Sequence, residues 1–65
     1  MTKYETIIYK SIENRANEIL EETGSNKECF NFITNKMIEL LATTFNGTIF
    51  MRVLNDLRSN YEEGK

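Results

Sequence analysis

From Tyr4 onward, apolar residues recur at intervals of three and four: Tyr4, Ile7, Ile8, Ile12, Ala16, Ile19 and Leu20. That is the period of an α-helix. Glu5, Lys10, Glu13, Asn17 and Glu21 occupy the opposite side, so the helix is amphipathic. Thr2-Lys3-Tyr4-Glu5 has the form of a capping box, with Thr2 as N-cap and Glu5 reaching back to it. Thr23-Gly24 supplies the stop, because glycine takes a left-handed C-cap without strain. The pattern predicts a first helix over 3–23.

A second capping box, Ser25-Asn26-Lys27-Glu28, follows at once. Behind it run Cys29, Phe30, Phe32, Ile33, Met37, Ile38, Leu40, Leu41 and Phe45. This arc is wider than that of the first helix, which marks the central element, with a neighbour on each side. The predicted span is 26–45. Two helices joined by so short a link fold back as an antiparallel hairpin.

Asn46-Gly47 has two readings. After a helix it is a C-cap; between 42–45 and 48–51 taken as strands it is a hairpin turn. The helical reading is preferred, because Ile49, Phe50, Val53, Leu54, Leu57 and Tyr61 continue the helical spacing. Arg52 with Asp56, and Arg58 with Glu62, are opposite charges four apart. Thr48 serves as N-cap in this reading, and the third helix covers 49–62. The expected fold is all-α, one domain over 1–65, a three-helix bundle built on an antiparallel hairpin.

Composition narrows the function more than it names one. The 65 residues include one Cys, no His, no Trp and no Pro. Most zinc sites and any disulfide scaffold are thereby excluded. No apolar run reaches the length of a signal peptide or a membrane span, so the expected location is the cytoplasm. The net charge of -2 argues against a dedicated nucleic-acid binder, which shows a basic face. Apolar burial on folding and the ordering of a chain this short are each about 100 kcal/mol and nearly cancel. Such a chain gains stability by associating.

Candidate chemistry is sparse. A helix-turn-helix reading makes the third helix the reader, with Arg52, Asn55 and Arg58 as DNA contacts. Its first turn, however, offers Ile49, Phe50 and Met51, which cannot hydrogen-bond base edges. Catalysis lacks a marked acid, base or phosphate loop, and no enzyme activity or cofactor is expected. Cys29 has no His to activate it; a helix N-terminus could lower its pKa, but its position reads as packing. Glu18, Glu21 and Glu22 are the dense acidic cluster. They lack calcium-loop spacing and read as a solvated helix end.

The apolar surplus is the suggestive feature. Four Phe, three Tyr and three Met in 65 residues are more than three short helices readily enclose. Exposed apolar patches mark interfaces, and aromatics and Met favour interface cores. The expected function is non-enzymatic regulation by protein–protein contact, with a partner protein, a second copy, or both. The expected interface is the third helix, through Phe50, Met51, Leu54, Leu57 and Tyr61. In outline the capped hairpin resembles small bacterial and phage regulators. Residues 25–45, a capping box followed by an amphipathic helix, loosely resemble small phage proteins that sequester cyclic-nucleotide signals. That resemblance implies a third reading, a ligand sponge with its pocket between subunits.

Overall fold

The computed structural model describes residues 2–43 and 47–62. They form three helices, α1 (Lys3–Thr23), α2 (Asn26–Ala42) and α3 (Thr48–Ser59). Among the described residues there is no strand, and Thr48 to Met51 form the first turn of α3. The helical reading of this region therefore holds over the β-hairpin. The three-helix bundle expected from the sequence is the observed fold.

The first stop-and-start signals work as their chemistry predicts. Glu5 N–H donates to Thr2 Oγ1 at 3.2 Å, and Thr2 N–H donates to Glu5 Oε1 at 2.8 Å. Gly24 adopts φ +66°, the left-handed region, and its N–H donates to Leu20 O at 2.7 Å. The second box forms only by half. Glu28 N–H donates to Ser25 Oγ, but Ser25 N–H turns back to Thr23 Oγ1 at 3.1 Å. The tight link thus recruits the preceding helix end for the cap.

Three boundaries differ from expectation. α2 ends at Ala42; Phe45, placed in this helix from the sequence, lies outside the described residues. α3 begins at Thr48 because Gly47 O already accepts the first helical bond, from Met51 N–H at 2.9 Å. Gly47 is therefore the N-cap, without a side-chain bond, and Thr48 is the first helical residue. At the far end Asn60, Tyr61 and Glu62 donate to carbonyls three residues back. The last turn is tightened in the manner of a 3₁₀-helix, so α3 proper stops at Ser59.

Cys29 Sγ lies 3.1 Å from Ala16 O and donates to it, which sets the register of the α1–α2 hairpin. α3 runs parallel to α1: Gly47 and Thr48 lie beside Thr2 and Glu5, and Tyr61 Oη donates to Asn17 Oδ1 at 3.1 Å. α2 packs against both neighbours, as its wide apolar arc predicts. The core is Ile12, Ala16, Cys29, Ile33, Phe50, Leu54, Leu57 and Tyr61. α1 at 1.5 Å per residue is about 31 Å long, which accounts for the 32 Å long axis of the molecule.

Candidate functional site

α3 covers one side of the α1–α2 hairpin. The other side carries a groove of about 580 Å³. Ile7, Ile8 and Ser11 line it from α1; Phe32, Lys36 and Leu40 line it from α2. Among the described residues none of α3 contributes to it. Its rim is charged and internally paired. Lys36 Nζ sits 3.4 Å from Glu39 Oε2 and 5.7 Å above the Phe32 ring. Arg15 Nη1 holds Glu18 at 3.4 Å and Glu22 at 3.3 Å. One guanidinium thus pairs with two members of the acidic cluster, which partly offsets their unfavourable place near the helix C-terminus. No group of three metal-ligating side chains occurs among the described residues.

The apolar residues that face solvent collect at one end of the bundle. Tyr4 and Ile7 (66% and 61% exposed) belong to the start of α1, Ile38 and Leu41 to the end of α2, and Ile49 (69%) to the start of α3. The antiparallel hairpin brings these three segments together, opposite the Gly24 turn. Four of the five are the outward half of an apolar doublet: Ile7-Ile8, Met37-Ile38, Leu40-Leu41 and Ile49-Phe50. Neighbours on a helix point about 100° apart, so one of each pair must leave the core. The doublet is the sequence signal for this surface, at Ile7, Ile38 and Leu41 as well as at Ile49.

The residues expected to form an interface on α3 lie in or against the core of the single chain. Phe50 and Leu54 are fully buried, Leu57 and Tyr61 are 5% and 8% exposed, and Met51 is half-buried. Those side chains close the core of the single chain. Their burial has a plain cause: α1 and α2 meet along a narrow seam at Ala16 and Cys29, and the α3 face packs onto it.

The three side chains expected to contact DNA are also dispersed in role. Arg52 and Asn55 are exposed beside Met51, Met37 and Asp56, so the carboxylate of Asp56 shares the Arg52 surface. Arg58 is half-buried. It donates to Thr34 Oγ1 at 3.2 Å and to Asn55 Oδ1 at 2.6 Å, and its guanidinium lies 4.9 Å over Phe30. It works as a strap between α3 and α2, and its donors point into the protein.

Cys29 is fully buried. Desolvation pushes its thiol above the ordinary pKa, and the nearby Glu28 carboxylate adds to this. The helix N-terminus does not prevail over burial, so the side chain packs as a small apolar residue. Tyr61 and Tyr9 are raised for the same first reason, burial, with the Glu13 carboxylate contributing to both. Glu5 is lowered, because its carboxylate accepts the Thr2 N–H. No helix is long and apolar enough to cross a membrane among the described residues. Comparison with protein-family models, curated proteins and solved structures gives no match.

Proposed function

We propose that this protein acts by protein–protein contact, as a small non-catalytic regulator or adaptor, through the open side of the α1–α2 hairpin. The observation that carries this reading is the groove that α3 leaves uncovered, apolar along its floor and continued by the exposed Tyr4 and Ile7. Contiguous apolar surface left in water is the kind of surface at which proteins meet. The groove's charges are paired on its rim, an arrangement of apolar centre and polar margin that suits an interface.

The test compares the immobilised wild-type chain with Ile7→Glu, using free copies of the chain and cell extract as the mobile phase. Ile7 is 61% exposed, so the substitution leaves the core alone while placing a charge in the groove. Binding to the wild type that is lost with Ile7→Glu is the expected result. No binding in either arm, or binding indifferent to the substitution, overturns the reading.

A further inference from the structure

We propose that Met37 and Met51 form an oxidation-sensitive seam: a hydroperoxide converts their thioethers to sulfoxides, and α3 then loosens from α2. Met37 belongs to α2 and Met51 to α3. Both line one open groove of about 500 Å³, together with Thr48, Arg52 and Asn55. Both are half-buried and packed against the core cluster. The two conditions act together. The open groove admits a small dissolved oxidant to the sulfur, and contact with the core makes any change at the sulfur count for the fold. Cys29 meets only the second condition. It is fully buried, and its Sγ donates to Ala16 O at 3.1 Å. Burial holds it as the thiol, whereas the thiolate is the reactive form. The seam lies away from the open side of the hairpin, so its sensitivity does not depend on what that side meets.

In the reaction a thioether lone pair attacks the outer oxygen of the hydroperoxide. The S–O bond forms as the O–O bond breaks, and the departing oxygen takes up the proton and leaves as water or an alcohol. Sulfur is oxidised and the peroxide reduced by the same electron pair. The product is polar and chiral where a flexible apolar group stood, and its oxygen needs a hydrogen-bond donor. Arg52 and Asn55 offer donors on the groove side, but a sulfur turned toward them gives up its contact with the core. A sulfur that stays in place buries an unpaired acceptor. Either outcome weakens the packing of α3 on α2. α3 yields at its N-terminal end. Met51 lies in its first turn, where Gly47 caps without a side-chain bond and Gly47 O accepts the Met51 N–H at 2.9 Å. The far end is strapped, by Arg58 to Thr34 and by Tyr61 to Asn17. Phe50, fully buried and next to Met51 in sequence, is the first core side chain that this opening uncovers.

The test treats the folded wild type with hydrogen peroxide, maps the added oxygen by peptide mass spectrometry, and follows unfolding in urea by circular dichroism. Met37 and Met51 are expected each to gain one oxygen while Cys29 keeps its thiol. The folding constant is expected to fall at least about tenfold. Amide exchange is expected to quicken more at Phe50 and Met51 than at Ile12 and Ala16. Met37→Leu combined with Met51→Leu conserves volume and keeps Met1, and the same treatment is expected to leave its folding constant unchanged. A methionine sulfoxide reductase applied to the treated wild type is expected to restore the original constant, a readout that needs no variant. Sulfoxides at Met37 and Met51 without loss of stability overturn the seam as a switch. So do thioethers that stay unreacted at both positions, an equal loss in the doubly substituted chain, or a loss that persists once the reductase has removed both sulfoxides.

Discussion

The two sides of the α1–α2 hairpin are built from similar residues and come to opposite ends. On one side Phe50, Leu54 and Leu57 of α3 descend onto Ile12, Ala16, Cys29 and Ile33, and these side chains are buried. On the other, Ile7, Ile8, Phe32 and Leu40 stand along a groove that no third helix covers. Polar groups follow the same division. Tyr61 and Arg58 bridge between helices on the covered side, whereas Lys36 and Arg15 pair within their own helices on the open side. Cross-helix bonds fix one arrangement of elements; intrahelical pairs leave a face free to meet something else. The difference is therefore one of commitment: one side holds the fold together, the other lies open to solvent.

The sharpest test of that contrast is a matched pair of truncations. Phe50→Ala empties a fully buried ring site and is expected to cost about 3–5 kcal/mol. For a chain of this size that approaches its whole stability, so the helix signal should collapse at ordinary temperature. Ile7→Ala on the open side removes an exposed side chain and should change monomer stability by less than about 0.5 kcal/mol. Urea titrations at low protein concentration, followed by circular dichroism, compare the two. Equal losses would erase the distinction between the sides.

How far the sequence reveals this division depends on the feature. Helix starts and stops are legible where a local bond decides them. Thr2, Glu5 and Gly24 do as their types predict, because each cap is satisfied within four residues. The half-formed box at Ser25 is less legible, since the competing acceptor, Thr23 Oγ1, belongs to the preceding helix. The central place of α2 is legible in the width of its apolar arc. What periodicity does not reveal is which apolar face meets which. α3 has a sharply one-sided pattern, and one-sidedness fits a docking face as well as a core face. The choice is made at Ala16 and Cys29, two small side chains whose close approach leaves a hollow for Phe50 and Leu54. The open side was readable in part from the doublets Ile7-Ile8 and Leu40-Leu41, where helical geometry forces one member outward. Arg58 illustrates the remaining gap. Its charge and spacing suggest Glu62 as a helical partner, while its contacts with Thr34 and Phe30 span 24 and 28 positions of sequence and arise only from the packing of α3 on α2.

Arg58 also supplies the next, smaller test. Arg58→Met keeps much of the stem over Phe30 but removes the bonds to Thr34 and Asn55 and the cation over the ring. The expected loss is about 0.5–1.5 kcal/mol. Lys36 lies over Phe32 in a formally similar pose on the open side, yet its side chain is 42% exposed and pairs with Glu39 of its own helix. Lys36→Met should therefore stay within about 0.5 kcal/mol. Thermal melts of the two single variants and of the wild type read the comparison. A larger effect at Lys36 than at Arg58 would reverse the assignment of the structural side.

The smallest effect expected is a pH dependence that belongs to the covered side. Cys29 and Tyr61 are neutral when protonated, and burial raises both above their ordinary values of 9.0 and 10.0. Tyr61 also feels Cys29, Glu13 and Tyr9, each of which favours its protonated form. In the unfolded chain these groups ionise at the ordinary values, and in the folded chain only at higher pH. The unfolded state thus binds fewer protons across that window, and stability falls as pH rises. The contribution is fully present below about pH 9 and is lost as pH climbs through the folded-state values. Urea midpoints should accordingly be flat from about pH 7 to about pH 8.5 and decline above about pH 9. Tyr61→Phe lowers the plateau by the lost bond to Asn17, about 1 kcal/mol, and makes the alkaline decline shallower. Ile7→Glu, on the open side, should leave its slope unchanged. A decline as steep in Tyr61→Phe as in the wild type would mean that the tyrosine hydroxyl on the covered side does not share in setting the alkaline limit of the fold.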